Sequence, residues 1–362
     1  MTVETNCGPA VERLLELGVA VYPVRPLAAA RYRERKAPSG VKTNLIDAWA
    51  LADALRLDGH TWRRLKPEDP LIQELRLICR DEVGLIEQRT AFVNQLQQAL
   101  HEYFPAALEA FDDWTMPATW EFVVQFCTAE KLVRAGTKKH EKFLRGHGLA
   151  RSETFSKRRE IFARADQFQG TAPVIAAKSR LALALATQLI ALDEQLQLYR
   201  SRIRELFEQH PDHELFGSLP GLGDKLAPRM LAECGGDPER FQSTEELQCV
   251  AGTAPISFQS GQMHQVRIRR ACNRSLRTAV HLWANLSRAQ CAWAEAYYQQ
   301  KKTTMTHACA LRCLGQRWLK ILRKMLETHQ PYNEALHTLN QTRHGSWVIA
   351  LLPTSPAAGQ CA

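Results

Sequence analysis

The amino-acid sequence predicts a small α/β layer followed by a mostly α-helical body, and three observations carry that expectation. Residues 1–66 alternate short β-branched runs with helical patterns. Two long stretches of helical apolar periodicity then occupy much of residues 67–212. Residues 213–340 open on a glycine-rich turn and continue as a helical unit, and residues 341–362 form a tail expected to fray after Trp347.

In chain order, "MTVE" reads as a strand, Gly8 to Leu17 as a helix, "VAVYPV" as a second strand and "NLIDAWALADALRLD" as the next main helix. Strand, helix, strand, helix is an α/β signature, here with fewer strands than an ordinary sheet has. Residues 68 to 115 read as one long helix and residues 178–210 as another. In the second, Leu185, Leu189, Leu192, Leu196, Tyr199, Ile203 and Leu206 alternate spacings of four and three. That seam predicts a coiled-coil arm, within the chain or between two chains, although an amphipathic helix packed on its own domain gives the same pattern. Between the two lies "KLVRAGTKKHEKFLRGHGLARSETFSKRREIFARA", which fits either a solvated helical face or a nucleic-acid-contacting insertion. Next, "LPGLGDKLAPRMLAECGG" has the shape of a helix-hairpin-helix element. There the turn at Gly221 and Gly223, followed by Lys225, would offer backbone amides at a helix start to a phosphate; a plain helix turn fits the same residues.

Charge points to the partner. Across 362 residues the formal net charge is +9, an excess that opposes compaction and suits a polyanion such as nucleic acid. Its distribution is uneven: Leu247 to Ala294 contains no acid but holds Arg267, Arg269, Arg270, Arg274, Arg277 and Arg288. Ala296 to Leu326 is also acid-free and adds Lys301, Lys302, Arg312, Arg317, Lys320, Arg323 and Lys324. The ten cysteines lack the paired spacing of a disulfide framework or zinc ribbon, which suits a reducing cytoplasm. His307, Cys309 and Cys313 fall within a helical pattern and read as structural rather than as metal ligands. No run reads as a membrane span, and the N-terminus carries acids where a signal peptide would carry bases.

These residues resemble one family. Four features of the C-terminal half carry the likeness in order: the Pro-Gly-x-Gly turn, the segment from Phe241 to Pro255, the Ser260-Gly261 pair and the helix start from Asn273 to Arg277. Together they resemble the C-terminal domain of insertion-sequence transposases of the IS-one-ten type, in the IS-eleven-eleven branch, relatives of the Piv-type DNA invertases. "VETNCGPAVERLLELGVAVYPVRPLAAARYRERKAPSGVKTNLIDAWALADALRLD" is similar to that family's RNase H-like N-terminal domain with its Asp-Glu-Asp-Asp site. The resemblance implies a DNA recombinase that is guided by a structured bridge RNA and works as a dimer or tetramer. It also implies a composite active site in which the acidic domain of one subunit meets the serine domain of another.

Carried over by position, Ser260 is the nucleophile, Glu4 the glutamate and Asp47 the last aspartate, with Mg²⁺ held by Glu4, Asp47 and Asn44. A serine hydroxyl is a weak nucleophile until a base or metal activates it, and carboxylates that hold Mg²⁺ would do so while neutralising phosphate oxygens. The nucleic-acid-binding set is Arg267, Arg269, Arg270, Arg274, Arg277, Gly221, Gly223 and Lys225. Two acidic positions depart from the pattern. Only Met1, Thr2 and Val3 precede Glu4, where the family's first aspartate belongs, and Asn44 stands in place of a carboxylate. The expectation is therefore a transposase shortened at its N-terminus or read from a late start, with the serine domain intact. The alternative is a catalytically inactive relative that acts only as a DNA- or RNA-binding protein.

Overall fold

The computed structural model describes residues 1–235 and 238–352; the outer part of the expected fraying tail, residues 353–362, lies outside the described residues. The chain divides into two compact units, Met1–Pro70 and Leu71–Ala362.

In the first unit, β1 (Thr2–Val3) pairs in parallel with β2 (Tyr22–Pro23), with Thr2 opposite Tyr22 and Val3 opposite Pro23. Helix α1 (Pro9–Glu16) connects them, and α2 (Pro26–Lys36) and α3 (Asn44–Asp58) follow. Helix α3 spans the residues that its pattern predicts because Thr43 caps it, its hydroxyl accepting the Ile46 amide at 3.2 Å. Val11, Val21, Val24, Ala29, Ala50 and Ala54 are buried and form a core of small side chains. The expected strand over "VAVYPV" contracts to two residues, and Pro23 has no amide to extend the ladder. The sheet of this unit is one parallel pair, the two strands expected from the sequence in shortened form.

The second unit is built on two long helices, α4 (Pro70–Tyr103) and, after four shorter ones, α9 (Ala172–Gln209). The helix expected to run to residue 115 stops at Tyr103, because Pro105 disfavours helical backbone at the residue before it and Phe104 turns out at φ −140°. The two long helices run antiparallel, joined by Glu74–Arg202, Glu82–Arg200, Arg89–Asp193 and Glu102–Lys178. Between them in sequence lie α5 (Pro105–Ala110), α6 (Pro117–Gln125), α7 (Ala129–Gly146) and α8 (Ser152–Ala163).

Two cores form along this pair. In the first, Val93, Leu96 and Leu100 of α4 and Leu185 and Leu189 of α9 pack with Phe111, Trp120, Phe122, Phe143 and Phe162. Each fully buried leucine there is worth about 1.5–3 kcal/mol. In the second, Ile72 and Leu75 of α4 and Ile203 and Leu206 of α9 pack with the C-terminal helices. The heptad seam therefore splits between two cores of its own chain, with Leu192 and Tyr199 half-buried between them. One expectation needs correcting: α9 contains an 18-residue window of mean hydropathy 1.4, long and apolar enough by length and composition to cross a membrane. The expectation that no run reads as a membrane span therefore fails for this helix by length and composition. The basic stretch folds as α7 and α8, with Leu132, Phe143, Leu144, Ile161 and Phe162 turned into the first core. Lys138, Lys139 and Lys142 are left exposed.

The C-terminal helices are α10 (His213–Gly217), α11 (Gly223–Cys234), α12 (Thr244–Val250), α13 (Arg274–Ser287), α14 (Ala292–Lys302), α15 (His307–Thr328) and α16 (Glu334–Arg343). Trp283, Trp293 and Trp318 cluster at their centre. Each indole finds an acceptor, Pro220 O for Trp283, Tyr332 Oη for Trp293 and Ser287 Oγ for Trp318. Two buried carboxylates fasten this bundle to the long helices. Glu82 of α4 meets Arg200 of α9 at 3.2 Å and Arg229 of α11 at 2.7 Å. Glu233 of α11 takes both nitrogens of Arg80 at 2.7 and 2.8 Å and the Asn273 amide at 2.6 Å.

Glu82→Ala leaves Arg200 and Arg229 without their shared buried carboxylate and is expected to lower stability by about 3–5 kcal/mol. Arg202→Ala breaks only exposed pairs, with Glu74 and Glu205, and should leave the urea midpoint nearly unchanged. A tight glycine gives a second contrast. Gly221 sits at φ 84°, where an added Cβ would lie 2.4 Å from the Ser287 backbone nitrogen. Gly223 has φ 53° and open space around it. Gly221→Ala is expected to cost more than about 3 kcal/mol and Gly223→Ala about 1 kcal/mol, both read by chemical denaturation.

Candidate nucleic-acid interface at the Ser260 hairpin

Between α12 and α13 the chain leaves the helical core as an antiparallel hairpin, β3 (Ile256–Ser260) and β4 (Met263–Arg267). Ser260 pairs with Met263, so Gly261 and Gln262 make a two-residue turn. Gly261 has φ 55° and Gln262 is not in the left-handed region, the pattern of a type II′ turn with glycine first. All ten strand residues are exposed. A lone hairpin is marginal in water, and this one is held at its root: the Gln316 side-chain amide donates to Thr253 O at 2.8 Å, and Asn273 N donates to Val250 O at 2.8 Å.

Strand alternation sorts the side chains. Ile256, Phe258 and Ser260 share a face with their partners Met263, Gln265 and Arg267. Arg267 lies over the Phe258 ring at 5.0 Å and also donates to Gln265 at 2.7 Å, so its guanidinium is on the Ser260 face. The Ser260 hydroxyl is exposed and, among the described residues, has no hydrogen-bond partner. Arg269 donates to Ala254 O at 3.4 Å, Arg277 points at Cys272 Sγ at 3.7 Å, and Arg270 and Arg274 are exposed. None of these five arginines forms an ion pair with a described residue. Acid-free runs in sequence do not guarantee free cations, however. Arg288 is paired with Glu295 at 2.7 Å, and Arg323 and Lys324 both reach Glu327.

The asparagine that opens the helix after the arginine run has a structural task. Asn273 caps α13 by accepting the Leu276 amide at 3.1 Å while its own amide donates to buried Glu233. Residues 269–272 are thereby fixed at the foot of the hairpin. The glycine turn is corrected in one respect. Gly221 is buried, and its amide donates to Gln290 Oε1 at 2.7 Å, so that amide is not presented to a phosphate. Gly223 and Lys225 are exposed at the start of α11, with Asp224 between them in the first turn.

In the first unit, Glu4 is exposed directly after β1, and Asn44 is exposed in the first turn of α3. Asp47, one turn into the same helix, is half-buried and accepts from Arg33 at 2.7 Å. Arg33 is the residue that sequence reading missed, since nothing in the spacing of α2 announces its partner. Among the described residues there is no group of three or more histidines, cysteines, aspartates or glutamates that could hold a metal. Hard divalent cations need several anionic oxygens. With Asn44 neutral and Asp47 already matched to a cation, the donor set does not fit Mg²⁺. His307, Cys309 and Cys313 engage their neighbours: His307 Nδ1 lies 2.7 Å from Tyr298 Oη, and both thiols approach Met305 Sδ.

Comparison with known proteins completes the picture. Residues 213–299 match the model described as Transposase IS116/IS110/IS902 family. Residues 1–105 match a second model, described as a transposase and covering the DEDD domain of IS110. The mini-circle protein assigned as transposase for IS117 in Streptomyces coelicolor is 33% identical over 346 residues, 92% of this chain and 82% of that protein. The 42 kDa protein of insertion element IS900 from Mycobacterium paratuberculosis is 29% identical over 299 residues, covering 82% and 74% of the two chains. The 44.8 kDa protein of insertion element IS116 from Streptomyces clavuligerus is 27% identical over 296 residues, covering 81% and 73%. A hairpin that bares a serine among unpaired arginines thus sits inside the matched transposase segment, and the chain belongs to the IS110/IS116/IS902 family of transposases.

Proposed function

We propose that the chain is a DNA recombinase of a mobile element in which Ser260 is the nucleophile, and the observation that carries this reading is the hairpin itself. An exposed serine hydroxyl, unpartnered among the described residues, stands at a turn on the same strand face as Arg267, with Arg269, Arg270, Arg274 and Arg277 following and no described carboxylate neutralising them. Attack of the Ser260 oxygen on phosphorus forms a serine–phosphate ester as a P–O bond to deoxyribose breaks, and the departing deoxyribose oxygen takes up a proton. Reverse attack by a deoxyribose hydroxyl of another strand restores the serine. The arginines grip the flanking backbone and stabilise charge that gathers on the phosphate. A bridge RNA as guide, a dimer or tetramer as the working form and the bacterial cytoplasm as its place belong to the same proposal.

The family's acidic site is of a metal-dependent type, and Glu4, Asn44 and Asp47 are its counterparts here. Because their donors do not make a fitting set, no step is drawn through magnesium. The Arg33–Asp47 pair and the neutral Asn44 favour a second reading, a nucleic-acid-binding protein that does not cleave.

A supercoiled donor plasmid carrying the element ends, with the element's own noncoding RNA, separates the two. On the first reading the protein yields a detergent-resistant DNA adduct that Ser260→Ala abolishes, while DNA affinity changes less than about twofold. Binding without any adduct from the unaltered protein would establish the second reading and overturn the first. Affinity should also fall steeply with salt. Arg270→Gln combined with Arg274→Gln is expected to reduce the slope of log affinity against log salt by about two.

A further inference from the structure

The cationic surface around the hairpin continues into a cleft at its root. The cleft has a volume of about 230 Å³ and is lined by Ile268 just past β4, by Arg277, Val280 and His281 of α13, and by Leu311 and Arg312 of α15. Its two guanidinium groups are unneutralised. Arg312 has no partner among the described residues, and Arg277 has only the Cys272 sulfur at 3.7 Å. Burial, and to a lesser degree His307 and Arg312, hold the half-buried His281 imidazole below its ordinary pKa. That shift favours the neutral ring, which can stack or share a hydrogen bond.

The combination selects a ligand. A bare phosphate gains nothing from apolar walls, and an apolar side chain gains nothing from two unpaired guanidinium groups. A nucleotide has both a flat, weakly polar base and a phosphate, and arginine planes also stack on bases. A base inside a duplex stack cannot enter a concave site and must first be unstacked. The place suits this too. Ser260 is four residues along β3 from Ile256, roughly 13 Å at the rise of a strand, which is about four base steps of stacked DNA.

We propose that this cleft receives one unstacked nucleotide of the strand held by the Ser260 hairpin, with its base against Val280, Leu311 and His281 and its phosphate on Arg277 and Arg312. The proposal rests on the reading that the hairpin face binds nucleic acid. It adds a subsite that senses an unpaired nucleotide a few positions from the bond under attack.

Two labelled duplexes test it with the full chain, one fully paired and one carrying a single unpaired 2-aminopurine, with the same pair also made as RNA. The bulged DNA should bind about tenfold more tightly than the paired DNA, with the 2-aminopurine fluorescence changing on binding. A like preference in the RNA pair would make the guide the source of the nucleotide; a preference confined to DNA would make it the substrate. Arg312→Gln should erase most of the preference while leaving the paired duplex within about twofold. Thr278→Glu, on the exposed rim of the cleft, should do the same and guards against a folding defect in the first variant. Tight, salt-sensitive binding of paired and bulged probes with equal affinity would overturn the cleft and leave the hairpin reading standing. Absence of salt-sensitive binding to any probe would overturn both.

Discussion

Glu233 is the contact on which the placement of the hairpin depends. Only 3% exposed, it carries a charge that the interior tolerates because Arg80 of α4 and the amide of Asn273 surround it. Arg80 belongs to one of the two long helices, while Asn273 is the cap from which α13 starts, between Arg270 and Arg274. One carboxylate thus ties the scaffold of the second unit to the foot of the exposed strands. Glu82, with Arg200 and Arg229, repeats the device between α4, α9 and α11. Charges this buried demand correct partners in correct positions, so they fix geometry in a way that apolar packing alone does not.

The hairpin presents the opposite condition. Its strands bury nothing, their edges are open, and the apolar side chains of Phe258 and Val266 are 47% and 62% exposed. Natural proteins seldom leave such edges bare unless charge protects them or something covers them. Here the charge is arginine without carboxylates, which repels another copy of itself and attracts a polyanion. Strand geometry, exposure and charge converge on one use, and the cleft at the root extends the same chemistry inward.

The first unit is less well equipped. Its two strands bury little, and the Asp47 carboxylate is held by Arg33. Asn44, in the first turn of the same helix, is exposed and neutral. Asp47 is matched locally by Arg33, whereas the hairpin arginines meet no carboxylate among the described residues. That difference is why cleavage and binding are separable questions for this transposase.

Local signals in the sequence determined what lies within a turn or two of a residue. Thr43 and Asn273 fix the starts of α3 and α13 because a cap acts on an amide three residues away. The Ser-Gly pair announced a turn because glycine accepts positive φ at no steric cost. Net charge and acid-free runs established where the cationic excess lies in the chain. Partners far apart in sequence were decided only by tertiary structure. The Gly221 amide, read as a phosphate donor, is taken by Gln290, 69 residues on. Arg288, counted among free arginines, meets Glu295, and the leucine seam of α9 divides between two cores of its own chain. Periodicity states that a face is apolar, and composition states that a charge exists. Which surface or counter-charge meets them depends on packing across the whole chain, and no local pattern contains that.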